Sequence, residues 1–523
     1  MSETGCFLGE GSSEGGSSDC RSSDDGRQLV LFEVERREVT VAFDGGDVVT
    51  DTGLLAVRQL DRQLGVLAEA AARLPDPRSE LLRHFSTEQL LTQTVYQLLG
   101  GYFDCNDART LRHDPLQQVL VDHAPGTEHA TLASGSTLAR FRYAFTRRQR
   151  LMPVDERTID QECQAAKCER LRVMNRFLID LFVKTRPSVP KRIILDFDAT
   201  DDPMHGQQQL SLFHGYYQQH QYLPLLVFDG ESKFPLAGWL RSGTAHASWG
   251  ALETLREMVP LLREAWPDVE ILVRADAGYA IPALYEFCEE HSLNYVIGYS
   301  TNNVLKAATQ VTMNYVEAWA GLHGESCQRF QNLPGYQADG WSRPRRIIAK
   351  CEVTSRSSCP ERPGGPNRRF VVTNLTQPAE HVYRQVYVKR GDAPERAIEE
   401  LKHGLGIDRL SSHRFFANAF TMQCHLLAYA LFILFREANA AVPEVARHTL
   451  ETVRARVFKF GAVVKTSARK VWFHAAASWP GRDLFHRVCS AVNTHAQKLG
   501  QLWPNRLAEA LSIKLGGPVT VTK

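Results

Sequence analysis

Several absences narrow the reading of this chain before any motif is considered. Net charge is nearly absent: 61 Lys and Arg against 59 Asp and Glu leave +2 over 523 residues. A uniformly basic surface is therefore excluded, and only local strips of charge could serve a polyanionic partner. The eleven cysteines are scattered. Cys163 and Cys168 lie close, but there are no two closely spaced pairs of the kind that hold structural zinc. A disulfide framework is not expected at this length, which suits a reducing cytoplasm. No signal-peptide pattern opens the chain; "MSETGCFLGEGSSEGGSSDCRSSDDG" is Gly/Ser/Asp-rich and is expected to stay disordered. The longest apolar stretch, Cys424–Phe435, is about half a membrane span and includes His425. It reads as a buried helix of a soluble cytoplasmic protein with no membrane partner. No internal repeat is found.

What is present falls into a sequence of zones. The length suits about two to four domains, and 43% apolar residues can fill real cores. After a tail over 1–27, "LVLFEV" and "EVTVAF" alternate about a charged turn and predict a hairpin. Helical periodicity then dominates a region over 28–185. Near its end, "LASGSTLARFRYAFTRRQR" carries Arg140, Arg142, Arg147, Arg148 and Arg150 without an acid, either a solvated basic face or a phosphate-contacting one. From Ile193 the pattern becomes three strands in a meander, then alternating helix and strand. That order predicts an α/β, RNase H-like mixed sheet flanked by helices, its first part over 186–301. Residues 302–368 are rich in Arg, Pro, Ser and Gly, with β-like fragments, and read as a β-rich insertion. Core character returns over 369–440. The region 441–523 mixes cations and aromatics in strand-like alternation, as expected of a DNA or dimer surface or of a packed β element.

Three acids stand at distinctive places. "IILDFDAT" puts Asp198 at the end of the first strand, "VEILVRADAGY" puts Asp276 just past a later one, and "PERAIEELK" puts Glu395 at the opening of a helix. The RNase H-like order lays the first two strands side by side, and the helix can bring Glu395 over both. Converging carboxylates make a site for hard cations, Mg²⁺ with Mn²⁺ substituting. Two such ions serve in-line phosphodiester displacement. Asp196 shares the face of Asp198 by the two-residue period of a strand, so it is a further possible ligand. Glu395 and Lys402 are seven residues apart, two helical turns, and are expected on one face.

With these residues in view, Tyr387, Arg390, Glu395 and Lys402 resemble the YREK signature of DDE transposases of bacterial insertion sequences. "DFDAT", "RADAGY" and "ERAIEELK" are similar to that group's three acidic motifs. Four residues separate Arg390 from Glu395 where the signature has three. The resemblance implies that Asp198, Asp276 and Glu395 are catalytic and metal-binding. It further implies that Tyr387, Arg390 and Lys402 position the DNA strand. The N-terminal helical region would bind element ends. The protein would act as a homodimer on double-stranded DNA, at terminal inverted repeats and target, by cut-and-paste cleavage and strand transfer, in association with the bacterial nucleoid. Trp319 and Trp341 in the insertion are candidates for stacking on a flipped base.

Two other readings compete. "DFDAT" fits the first motif of haloacid-dehalogenase-like phosphatases, with Asp196 as nucleophile and Asp198 as acid/base. A DNA-binding transposase derivative that no longer cuts is the other, although all three acids are retained.

Overall fold

The computed structural model describes residues 21–22, 28–76, 78–79, 83–127, 130–142, 169–204, 206–215, 217–354, 365–391 and 394–502. The expected tail and Arg147, Arg148 and Arg150 lie outside the described residues. The architecture is a mixed α/β one, organised about a large mixed sheet.

Eight strands build that sheet: β1 (Arg192–Ala199), β2 (Leu225–Asp229), β3 (Pro235–Trp239), β4 (Glu270–Ala275), β5 (Asn294–Tyr299), β6 (Cys327–Tyr336), β7 (Arg345–Thr354) and β8 (Gly365–Thr373). Their spatial order is 3-2-1-4-5-8-7-6. β1, β4 and β5 run parallel, with Leu195 opposite Val273 and Val273 opposite Tyr295; the other neighbours are antiparallel. β1 and β4 are central, which explains their nearly unbroken apolar runs: both faces are covered, so alternation is not required. Ile193, Leu195 and Phe197 face the main core, whereas Ile194 joins Leu272, Val296, Val371, Val382 and Tyr383 on the other side.

The N-terminal hairpin pairs Gln28–Val34 with Arg37–Ala42, and Glu35 and Arg36 turn with positive φ. Next come α1 (Leu54–Leu64) and α2 (Val66–Arg73), divided where Gly65 adopts a left-handed conformation, and α3 (Thr87–Gly100), opened by a Ser86/Gln89 capping box. α4 (Glu169–Thr185) and α5 (Ala251–Ala265) lie on the main-core side of the sheet, while α6 (Pro282–Glu290) links β4 to β5. α7 (Gln310–His323) covers β6 and β7. α8 (Pro394–Glu399) precedes α9 (Phe415–Ala438), which α3, α4, β3 and α10 (Arg482–Leu502) surround. By length and composition α9 could cross a membrane, but its most apolar stretch is wholly buried within the protein.

One expectation is corrected here. The Arg-rich segment over 302–368 does not form a body apart: β6, β7 and β8 continue the sheet beyond β5, and an expected boundary at 368/369 falls inside β8. Its arginines are anchored by partners distant in sequence, Arg343 and Arg345 by Glu289. The connection after Asp229 is longer than a tight two-residue turn. β3 begins only at Pro235, and Lys233, not Gly230, carries the positive φ. The C-terminal strand Ala462–Thr466 pairs with Val471–Ala475 on one side and with Val48–Val49 on the other, forming a small three-stranded sheet.

Candidate active site

The face of β1 opposite the main core carries Asp196 and Asp198, as strand alternation requires, and the helical segment 379–390 lies above it. Burial makes the two carboxylates costly, and the structure answers each cost differently. Asp196 is fully buried and accepts two parallel bonds from Arg274 on β4, Nε to Oδ1 at 2.6 Å and Nη2 to Oδ2 at 2.5 Å. The third arm of the Arg274 guanidinium donates to the Val386 carbonyl at 2.9 Å, tying the sheet to the segment above. Gly230 borders this pair because a Cβ there would stand 2.7 Å from both Asp196 Oδ2 and Arg274 Nη2. Burial pushes Asp196 up to about 6 despite the opposing pull of Arg274.

Asp196 is therefore a structural ion-pair partner. Both of its oxygens are engaged by one guanidinium, which removes it from the candidate metal ligands and, for the same reason, as a phosphatase nucleophile. Arg274 was missed in the sequence, although an arginine inside "EILVRA" is itself a signal: a cation in a central strand requires a buried acid beside it.

Asp198 has other company. Its Oδ1 accepts from the Ala199 amide at 2.9 Å and its Oδ2 faces Arg390 Nη1 at 3.5 Å. Burial pushes its pKa up to about 6; Arg390 opposes this, while the negative charges of Asp276 and Glu395 add to it. Asp276 ends β4 and caps the turn Ala277–Tyr279, Oδ1 accepting from the Gly278 amide at 2.7 Å. Glu395 is exposed in the first turn of α8 and folds back toward Gly391. Arg390 lies beside Tyr387 and reaches Asp198, while Asp276 and Glu395 act on its charge from further away. Three acids from three separate elements thus lie around one mostly buried guanidinium, which pairs with Asp198 alone. Among the described residues no three acidic, His or Cys side chains are drawn to metal-holding distances; Arg390 stands among the carboxylates as their resident cation.

Tyr387 reaches this cluster over β5. A Cβ on Gly298 would meet the Tyr387 hydroxyl at 2.7 Å and the Ala277 amide at 2.7 Å, so only glycine permits the approach. Lys402 departs from its expected geometry: Glu400–Gly404 forms a π-helical turn after α8, so the seven-residue spacing no longer stacks it above Glu395. Its ammonium pairs at 2.8 Å with Asp201, three residues beyond Asp198. Behind Asp276, the wholly buried Arg241 donates to the carbonyls of Leu223, His246, Ala247 and Trp249 and so fixes the loop whose Ala247 abuts Gly278. No sequence signal marked Arg241.

The remaining candidates do not join the cluster. Trp341 is buried among Tyr285, Tyr299, Tyr336 and Arg345, which corrects its reading as a base-stacking residue. Trp319 stacks on His323 within the cover of β6 and β7. Arg140 is exposed on the helix Gly135–Arg142, whereas Arg142 is half-buried, its Nε hidden from solvent, close enough to His425 and Cys424 to act on their charge states.

Comparison with known proteins gives three findings. The family model described as transposase DDE domain group 1 matches residues 32–497. No curated protein sequence matches the chain. Among solved structures, the cryo-EM piggyBac transposase synaptic complex with hairpin DNA aligns over 90% of this chain and 87% of that chain, at 11% identity and a TM-score of 0.40.

Proposed function

The chain belongs to the transposase DDE domain group 1 family, and on that premise we propose that Asp198, Asp276 and Glu395 are the carboxylates with which this DDE transposase cuts and joins DNA. The observation that carries the assignment is the placement of three acids, from the ends of two adjacent parallel strands and from a helix start, near enough for Asp276 and Glu395 to raise the pKa of Asp198. The strand order 3-2-1-4-5 before the added β8, β7 and β6 supports an RNase H-like core.

The donor set suits hard divalent ions by its chemistry, since it consists of carboxylate oxygens. Asp198, Asp276 and Glu395 would hold Mg²⁺ or Mn²⁺, two ions in the expected arrangement, supplying Lewis acidity at the attacking and leaving oxygens of the phosphodiester. The chain's own residues do the rest. Arg390 balances the acids before DNA arrives and is long enough to turn its fork to a phosphate afterwards. Tyr387 holds Arg390 in place, and Lys402 keeps the Asp201 turn beside Asp198. Asp196 and Arg274 lock the strand that presents Asp198.

Terminal-repeat recognition by the helical N-terminal region, a homodimeric synaptic complex and cut-and-paste movement of a bacterial insertion sequence of the YREK group complete the proposal. The test is strand cleavage of a plasmid carrying the native element, with Mg²⁺ and with Ca²⁺. Asp198→Asn, Asp276→Asn and Glu395→Gln should each bind DNA and fail to cut. Cutting by any of the three at the wild-type rate would remove that residue from the site.

A further inference from the structure

The C-terminal hairpin presents a feature that the acid cluster does not use. Between Glu451 and Asp483 the chain contains no acid, but it contains Arg454, Arg456, Lys459, Lys465, Arg469, Lys470 and Arg482. In a protein with nearly balanced charge this is a strong local segregation. Arg454 is buried on backbone carbonyls and Lys459 is taken by Asp51. Lys465, Arg469 and Lys470 are exposed, and among the described residues none of the three is in an ion pair.

Their placement follows from the register. Val464 lies opposite Phe473, and both face the core; Lys465 lies opposite Trp472 and Val463 opposite His474, on the outward face. Residues directly opposite one another share a face, so Lys465, Trp472 and His474 form one outward strip. Trp472 is 41% exposed. Past it the tip closes through Ser467, whose amide donates to the Lys470 carbonyl at 2.8 Å, with Arg469 and Lys470 at the turn. An inward face suffices to dock the ribbon. Nothing in its folding calls for an indole and three cations on the outward side.

We propose that the hairpin formed by Ala462–Thr466 and Val471–Ala475 is a double-stranded DNA-binding ribbon, with Lys465, Arg469 and Lys470 on phosphates and Trp472 against sugar or base edges. The proposal rests on the transposase reading and adds to it a binding surface remote in sequence from the helical N-terminal region. A two-stranded ribbon is narrow enough to enter a major groove of about 12 Å. An exposed aromatic beside cations suits a partner that is both anionic and flat-faced.

The full-length protein would be titrated with a short linear duplex in Ca²⁺ over a range of salt, beside the triple variant Lys465→Gln/Arg469→Gln/Lys470→Gln and the single variant Trp472→Ala. Three lost phosphate contacts should reduce the slope of log affinity against log salt by about 2.7. Trp472→Ala should weaken binding with the slope unchanged. As a readout that needs no variant, duplex DNA should slow tryptic cleavage after Arg469 and Lys470 in the wild-type protein. An unchanged slope together with unprotected tip cleavage overturns the ribbon. Strand cleavage in Mg²⁺ separates the two readings: wild type that cuts, with indifferent ribbon variants, sinks this inference alone. Wild type that neither binds nor cuts sinks the transposase reading with it.

Discussion

Asp196 and Asp198 are two residues apart on one strand and have opposite fates. Asp196 is sealed against Arg274, so removing either partner strands a buried charge, which typically costs about 3–5 kcal/mol. Asp196→Asn should therefore lower the denaturation midpoint strongly, and any loss of cleavage should track the loss of folded protein. Asp198→Asn should leave the midpoint little changed or raised, because it relieves repulsion from Asp276 and Glu395, while abolishing cleavage. Arg390→Met should tighten Mn²⁺ binding by the isolated protein, measured by paramagnetic relaxation or calorimetry, because the competing internal cation is gone. Weaker Mn²⁺ binding in that variant would refute its role as resident counter-ion.

Among the elements, α9 carries a pH dependence. His425 is fully buried there, its Nδ1 placed 2.8 Å from the Thr421 carbonyl and its Nε2 without a hydrogen-bond partner. Burial pushes its pKa down to about 4. Protonation is thus easier in the unfolded chain, whose imidazole titrates near 6.5. The stability linked to His425 is full above that value and is lost progressively as pH falls from about 6.5 to 4. His425→Leu should flatten this part of the stability profile by one proton's worth, read from thermal or denaturant melts at successive pH values; an unaltered profile would assign the acid limb elsewhere. The π turn at Glu400–Gly404 belongs to the same scale. It was invisible in "PERAIEELKHGLG" because a heptad spacing looks alike whether or not one residue is looped out, and it moved Lys402 from Glu395 to Asp201.

Across the whole molecule, the segment 302–368 belongs to the main sheet. β8 covers β5, contributing Val371 and Val372 to cores on both faces, and β7 covers β8. Deleting residues 302–368 removes β6 and β7 and should expose the outer edge of β8 residues 370–373 with their apolar side chains, giving aggregated protein, checked by solubility and size-exclusion chromatography. A soluble, cooperatively melting deletion would mean that the added strands are dispensable. The long apolar α9 makes a similar point: its composition alone could suit a membrane, and its packing among α3, α4, α10 and β3 shows that it is core.

The sequence alone determined the strands that end in Asp198 and Asp276, the helix that opens at Glu395, the N-terminal hairpin and the buried character of α9. Each is governed by local alternation, periodicity or capping, which neighbouring residues suffice to express. Only the tertiary structure decided that Arg274 takes Asp196, that Arg390 stands among the three acids, that Trp341 is enclosed by tyrosines, and that Lys402 turns to Asp201. It also decided that β6, β7 and β8 extend one sheet. These outcomes depend on partners tens to hundreds of residues away, and on the cost of buried charge and unpaired strand edges, which no local pattern records.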